Sequence, residues 1–298
     1  MAEQEIPHWS VKSWKHHRSA AGRGRDAVAV YPLQIGGHTG RVVECGAGDN
    51  TLLCLHGAGS RADRWAAALP GLALAGYHVY ALDFPGHGLA SKPADLDYTA
   101  PRFAQWVVDA IKALELRSVT LAGTSLGGHV AGLVAVDHPE LVTDLICVGS
   151  TGITEFPESL HQPQDVVADA SEAGIRRKLG LLVADQNQVT DLWVREESMI
   201  NSSPGALHAL NATASFVNHG TNRYLVGERL NSRDFDHPVL FVWGADDRWT
   251  PPSLGEAAHA AVRRSALRLM PKCGHAPYFE DPNLFVDIIS DHFNLKGN

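Results

Sequence analysis

Short apolar runs rich in β-branched residues alternate with longer amphipathic runs along most of this chain. This alternation predicts an α/β fold with a mostly parallel sheet, because parallel strands need long crossover connections that are usually helices. Gly36 and Gly37 separate the first two apolar runs and predict a hairpin. The predicted strands are Ala27–Ile35, Gly40–Cys45, Thr51–Leu55, Tyr77–Leu82, Ser118–Ala122, Leu141–Val148, Val239–Trp243 and Ala266–Met270. The predicted helices are Ala62–Ala75, Ala100–Leu114, Leu126–Asp137, Pro252–Val262 and Pro282–Phe293.

The alternation stops between about residues 153 and 232, where the pattern is helical and no run is typical of a central strand. We therefore predict a core made of residues 27–152 and 233–298, with residues 153–232 forming a helical cap, or lid. Residues 1–26 are polar and are predicted to form an N-terminal extension.

The 298 residues carry a formal net charge of −8, which argues against a general nucleic-acid surface. The N-terminus lacks the apolar segment of a secretory signal, and no run is apolar for long enough to span a membrane. Scattered cysteines predict free thiols and a reducing, cytoplasmic location. The expected partner is a small-molecule substrate, and the sequence leaves a homodimer open. The four cysteines are Cys45, Cys54, Cys147 and Cys273.

A glycine-flanked serine stands between the predicted strand Ser118–Ala122 and the predicted helix Leu126–Asp137. Residues 123 to 127 read Gly-Thr-Ser-Leu-Gly, the G-x-S-x-G pattern of a nucleophile elbow. Such a sharp strand-to-helix turn strains the backbone, so its neighbours must carry little or no side chain. The start of the helix also favours a developing negative charge. We therefore predict that Ser125 is a nucleophile.

A glycine-rich turn, His56-Gly57-Ala58-Gly59, follows the apolar strand Thr51–Leu55. An oxyanion formed by attack on a carbonyl needs two well-placed donors, and removing one raises the barrier by about 3 kcal/mol. We predict that these donors are the backbone amides of Ala58 and Leu126. The alternative is an ordinary connection between a strand and a helix.

A carboxylate must orient the base of such a nucleophile, and two adjacent aspartates follow the strand Val239–Trp243. Asp247 is favoured over Asp246, because the spacing Gly-x-x-Asp-x-x-x-Pro places it between Gly244 and Pro251. The segment after Leu141–Val148, Gly-Ser-Thr-Gly, offers no acid.

His275 is the predicted base among the chain's 16 histidines, since it follows the strand Ala266–Met270 and precedes the last helix. The order serine, aspartate, histidine is then the one expected for this architecture. No two histidines have the H-E-x-x-H spacing of zinc ligands, so we predict no metal and no cofactor.

These motifs resemble, in order, those of the α/β-hydrolase superfamily, and the resemblance covers about residues 27–295. It implies an eight-stranded, mostly parallel sheet with a cap between strands six and seven, and it makes the loop Asp83–Ser91 part of the framework. Within the superfamily, the chain looks most similar to hydrolases that cleave carbon–carbon bonds in meta-ring-fission products. The segments that carry this similarity are Ser125–Gly128, Trp243–Gly244, Asp246–Arg248, Lys272–His275 and Asp185–Thr190.

Three positions depart from that narrower group. Thr124 stands before the nucleophile, where the group usually has asparagine, and Ala276 follows the base, where it usually has tryptophan. The cap arginine that grips the substrate carboxylate aligns near Glu197, and Arg195 is the candidate to replace it.

The predicted function is therefore that of a serine hydrolase that attacks the carbonyl of a small ester, lactone or ketone, in the last case cleaving a carbon–carbon bond. Two alternatives use the same fold: a non-catalytic ligand receptor, and a cofactor-free oxygenase or perhydrolase. Predicted substrate contacts come from both the cap and the core, although the cap residues could equally pack the cap helices together. They are Gly57, Trp193, Arg195, Met199, Phe216 and Ala276, with Leu207 and Leu210 as further cap candidates.

Overall fold

Eight strands pair into one sheet in the order β1-β2-β4-β3-β5-β6-β7-β8. The structure is a computed structural model in which residues 27–293 are described, so the predicted extension at 1–26 lies outside them. Strands β3 to β8 are parallel, and β1 and β2 are antiparallel to their neighbours. The strands are β1 Val28–Ile35, β2 His38–Cys45, β3 Asn50–Leu55, β4 Tyr77–Leu82, β5 Val119–Thr124, β6 Val142–Val148, β7 Val239–Gly244 and β8 Ser265–Met270. The predicted α/β-hydrolase fold is thereby confirmed.

Helices cover both faces of this sheet. The α-helices are α1 Leu69–Leu74, α2 Ala100–Ala113, α3 Leu126–Asp137, α4 Gln164–Ala168, α5 Glu172–Leu182, α6 Asp191–Asn201, α7 Ala206–His219, α8 Pro252–Ala261, α9 Pro277–Glu280 and α10 Pro282–His292. Short 3-10 helices lie at Ala62–Trp65, Pro139–Leu141, Glu158–Leu160, Gln186–Gln188, Thr221–Arg223 and Arg229–Asn231.

The central strands are apolar throughout because both of their faces are buried. In β3, Leu53 and Leu55 point to a core that they share with helices α2 and α3. Leu52 and Cys54 of the same strand point to the other face, where they pack with α1 and α10. Every residue of β5 is buried. Because β5 is buried on both faces, its carboxyl end, where the chain turns at Ser125, is held in place by the core.

The predicted single helix Ala62–Ala75 is wrong. The structure has a 3-10 helix, Ala62–Trp65, followed by the separate short helix α1. Pro70 stands in the first turn of α1, where its missing N–H costs nothing. In the interior of a longer helix the same proline would remove a hydrogen bond and its ring would clash with the preceding turn. The other predicted strand and helix boundaries lie within two residues of those in the structure.

All the elements between β6 and β7 in the described residues are helical, and they include α4 to α7. Helices α5 and α6 share a small apolar core formed by Ile175, Leu179 and Val194 with two flanking valines. Helix α7 instead joins the main core through Ala209 and Phe216. This cap is therefore attached to the sheet domain by its own buried side chains.

All four cysteines are buried, and none of them forms a disulfide. Burial raises the pKa of the Cys147 thiol to about 12, so this group packs as a small apolar side chain. Among residues 27–293, no helix is long and apolar enough to cross a membrane.

Candidate active site

Ser125 occupies a strained turn between β5 and α3, with φ 54° and ψ −120°. A non-glycine residue held at positive φ costs about 1–3 kcal/mol and persists only where its surroundings enforce it. A side chain at Gly123 would collide with the carbonyl of Gly127. A Cβ at Gly127 would lie 2.5 Å from the carbonyl oxygen of Leu55. The two glycines of the motif are thus required by close approach of the backbone, and they permit the turn that presents Ser125.

His275 lies against a buried carboxylate. Its Nδ1 is 2.8 Å from Oδ2 of Asp247, and both side chains are almost fully buried. The other oxygen of Asp247 accepts the backbone amides of Trp249 at 2.8 Å and Thr250 at 2.9 Å. The hydroxyl of Thr250 also lies 2.9 Å from Oδ2. Since these bonds hold the carboxylate still, His275 is held in one orientation.

The structure brings Ser125 and His275 to the wall of one cavity between the sheet and the cap. Asp247 stands behind His275, whereas Asp246 is exposed to solvent. Ser125, His275 and Asp247 lie far apart in the chain but each follows the carboxyl end of a strand, and the first two line one cavity. This arrangement can move a proton from a hydroxyl to an imidazole whose charge the carboxylate would stabilise.

Ala58 lines the same cavity, and Leu126 directly follows Ser125 in the chain. The backbone of Gly57 lies so close to Ser125 that a Cβ at Gly57 would be 3.1 Å from the Cβ of Ser125. No protein acceptor bonds the amide of Ala58 or that of Leu126 within residues 27–293. Leu126 is the first residue of α3, where the helix dipole attracts negative charge. Two unused donors beside a hydroxyl can stabilise an oxyanion.

His56 holds the turn that carries Ala58. Its Nε2 accepts the amide of Phe84 at 2.9 Å, which leaves Nδ1 to donate to the carbonyl of Gly57 at 2.8 Å. Burial lowers the pKa of His56 to about 4, so the ring is neutral near pH 7. His56 is therefore a support for the backbone.

Asp83 fixes the neighbouring loop in a similar way. Its carboxylate accepts two bonds from Arg41, at 2.7 and 3.0 Å, and the amides of Ala62 and Leu89. Burial alone would raise the pKa of Asp83, but the hydrogen bonds and charge of Arg41 bring it below its usual value.

The cavity is mostly apolar, and several of the predicted contact residues line it. Gly57, Ala276 and Trp193 do so together with Ala58. The apolar part of the cap wall is formed by Phe156, Val167, Leu182, Ala214 and Val217.

The structure does not bring Arg195, Met199 or Phe216 to this cavity. Helix α6 turns Val194 and Glu197 inward, so Arg195 lies exposed on its outer face and Met199 is 75 % exposed. Phe216 is buried beside the ring of His129, in the main core. Of the further cap candidates, Leu210 is buried and Leu207 is 59 % exposed, and neither lines the cavity.

Two buried cations that the sequence motifs did not indicate, Arg64 and Lys178, line the cavity. Nζ of Lys178 donates to the carbonyl of Gly59 at 3.0 Å and to Glu197 at 3.1 Å. The guanidinium of Arg64 bonds Glu197 at 3.2 Å and stacks over the ring of Trp193 at 4.3 Å. A signal was available, because Lys178 interrupts the apolar face that Ile175, Leu179 and Leu182 form at helical spacing.

Glu197 is the anion among these cations, and it also contacts Arg61. Burial alone would raise its pKa, but the charges of Lys178, Arg64 and Arg61 lower the pKa to about 2. Burial lowers the pKa of Lys178, and Glu197 offsets part of that effect. This position, where a cap arginine was expected, thus carries a buried carboxylate.

Comparison with known proteins identifies the fold family of the chain. The profile of the α/β-hydrolase fold family matches residues 50–282. An uncharacterized protein of Mycobacterium tuberculosis is 30 % identical over 252 residues, which cover 80 % of this chain and 73 % of that protein. The 2-hydroxymuconate semialdehyde hydrolase of Pseudomonas sp. strain CF600 is 28 % identical over 80 % of this chain and 85 % of its own.

Solved structures show the same fold. A serine hydrolase involved in carbazole degradation superposes with a TM-score of 0.77 and 26 % identity, covering 91 % of this chain and 100 % of that one. A bacterial membrane phospholipase A superposes with a TM-score of 0.78 and 26 % identity, covering 95 % and 91 % of the two chains. Because the family profile matches residues 50–282, which are most of its length, the chain belongs to the α/β-hydrolase fold family.

Proposed function

We propose that this protein is a serine hydrolase in which Ser125 is the nucleophile, His275 the base and Asp247 the group that orients the base. The observation that carries the proposal is the 2.8 Å contact between His275 and the buried Asp247, made by an imidazole that shares its cavity with a strained serine. A ligand receptor would need none of these three groups in this arrangement.

The proposed reaction is acyl transfer. Oγ of Ser125 attacks the substrate carbonyl while Nε2 of His275 takes the hydroxyl proton, and the amides of Ala58 and Leu126 receive the oxyanion. When the tetrahedral intermediate collapses, the imidazolium returns the proton to the leaving group. Water then attacks the acyl-enzyme by the same route, with His275 again acting as the base.

The cavity supports a small substrate with an anionic group. Its walls are mostly apolar, but Arg64 and Lys178 place two cations on them. Nζ of Lys178 has three donors and two protein acceptors, so one donor is left for a substrate oxygen. Candidate substrates are an acidic ketone or aldehyde, the latter like the semialdehyde named for the Pseudomonas relative, and an ester or lactone bearing a carboxylate.

A fluorophosphonate probe tests the reaction type. We expect stoichiometric labelling of the native protein, with the added mass mapped to the peptide that contains Ser125. The matched control is Ser125→Ala, which removes the hydroxyl of the proposed nucleophile and keeps the hydroxyl of the adjacent Thr124. A native protein that takes no label would favour the ligand receptor, and oxygen uptake during turnover would favour the oxygenase.

Lys178→Met tests the anionic substrate. We compare kcat/KM for mono-p-nitrophenyl succinate and for p-nitrophenyl butyrate, which have acyl chains of equal length. Because a hydrogen bond to a charged group contributes about 1.5–3 kcal/mol, we expect the preference for succinate to fall about ten-fold or more in the variant. An equal change for both esters would show that Lys178 does not contact the substrate anion.

A further inference from the structure

The carboxylate of Glu280, at the end of α9, accepts three backbone amides from two different parts of the fold. Gly274 donates to its two oxygens at 2.9 and 3.0 Å, and Ala276 donates at 3.2 Å. These two residues stand on either side of His275. The third amide belongs to Ala184 of the cap and donates to Oε2 at 2.7 Å. One side chain thus joins the loop of His275 to the chain that follows α5.

The backbone of His275 is also bonded directly to the cap. Its amide donates to the carbonyl of Leu182 at 2.6 Å. At Gly274, a Cβ would lie 2.6 Å from that same carbonyl oxygen and 2.9 Å from the amide nitrogen of Ala184. The glycine before His275 is therefore explained by the close approach of the cap backbone. Leu182 also lines the cavity. The same cap residue therefore forms part of the cavity wall and accepts the amide of His275.

The loop of Asp247 is held at the same end of α5. Arg248, the residue after Asp247, donates through Nη2 to the carbonyls of Gly180 at 3.0 Å and Val183 at 2.9 Å. Carbonyls in the last turn of a helix have no partner within the helix and need one elsewhere. The carbonyls of Gly180 and Val183 receive a hydrogen-bond partner from Arg248, in the loop that carries Asp247.

We propose that Glu280 is a positioning residue for His275, which it holds by fixing the backbone on both sides of the imidazole to cap residue Ala184. The role rests on the proposed function, since it gives Glu280 an effect on turnover only if His275 is the base. Without Glu280, the amides of Gly274 and Ala276 lose their acceptor, and the loop keeps the bond of His275 to Leu182, the bond of Asp246 to the carbonyl of Cys273, and the side-chain contacts of His275 with Asp247 and Thr250. Loss of Glu280 leaves three amides without their acceptor and frees the imidazole to move.

Glu280→Ala is expected to lower kcat for p-nitrophenyl acetate by about 10²-fold, because a displacement of about 1 Å at a reacting group has an effect of that size. KM should change by less than about three-fold, since the cavity walls remain. Hydrogen exchange at the amides of His275 and Ala184 should become faster. Glu280→Gln should fall between the native protein and the alanine variant, because each carboxylate oxygen receives only two of the three amides and the glutamine keeps one acceptor oxygen. If the alanine variant does not fold, the kcat of Glu280→Gln tests the positioning role instead.

Asp281→Ala is the matched control, because Asp281 caps α10 through the amide of Leu284 and makes no bond to the His275 loop. It should lower Tm while kcat stays within about two-fold of the native value. If Glu280→Ala keeps the native kcat, or loses no more than Asp281→Ala at an equal loss of Tm, the positioning role is wrong. Native protein that takes no fluorophosphonate label would instead remove the proposed function, and this role with it.

Discussion

Asp247→Asn is expected to lower kcat by about four orders of magnitude while the protein stays folded. Oδ1 of Asp247 accepts the amides of Trp249 and Thr250, so the single oxygen of an asparagine would be held there. The asparagine N–H₂ would then face Nδ1 of His275 and require that atom to be an acceptor. The ring proton would move to Nε2, which could no longer take the proton of Ser125. Turnover of p-nitrophenyl acetate and the rate of fluorophosphonate labelling measure the effect.

Asp246→Asn is the control, one residue away and exposed to solvent. Its kcat should stay within about two-fold of the native value, because surface changes away from bonded groups are usually small. Both variants should unfold at nearly the native Tm. A mild Asp247→Asn beside a damaging Asp246→Asn would move the acid by one position and contradict the geometry of His275.

The sheet and the strand-end motifs could be predicted because the signals for them are local. Gly123, Gly127 and Gly274 stand where the backbone approaches another segment closely, and each belongs to a short motif that the sequence displays. Asp247 could be separated from Asp246 by its spacing to Pro251, and the structure has the first buried and the second exposed. Parallel strands present their carboxyl ends at one edge, so residues after three different strands were expected to meet.

The sequence did not predict which faces of the cap helices turn inward. These helices are only weakly amphipathic, so their packing on the sheet domain decides which face is buried. Helix α6 buries Val194 and Glu197 and exposes Arg195 and Met199, whereas the sequence suggested an apolar or arginine-lined inner face. An acidic residue is seldom buried unless it is paired. Its partners here, Arg61 and Lys178, come from segments that are more than 110 residues apart in the chain, so no local pattern shows that they converge on Glu197.

Glu197 therefore connects the cap to the sheet domain. Lys178 lies on α5 of the cap, whereas Arg61 precedes and Arg64 belongs to the 3-10 helix Ala62–Trp65 that follows β3. All four side chains are at most 7 % exposed. A charge that is taken out of water in this way is tolerated only because opposite charges and hydrogen bonds surround it.

Glu197→Ala is expected to lower the free energy of unfolding by about 3–5 kcal/mol, because removal of one partner leaves buried charges of one sign without compensation. Chemical denaturation at pH 7 measures the loss. The matched control is Glu196→Ala, one residue earlier and 54 % exposed, which should change stability by less than about 0.5 kcal/mol.

The same carboxylate predicts how acid affects the cap. The pKa of Glu197 is lowered to about 2 in the folded protein, below the value of about 4.3 for an unperturbed glutamate. A depressed pKa adds stability that is fully present above the unfolded value and is lost as the pH falls through the folded one. The native protein should therefore lose stability between about pH 4 and pH 2, and Glu197→Ala should lose less over that interval. A variant with an unchanged acid slope would mean that other carboxylates, such as Asp83 with its lowered pKa, control the acid response instead.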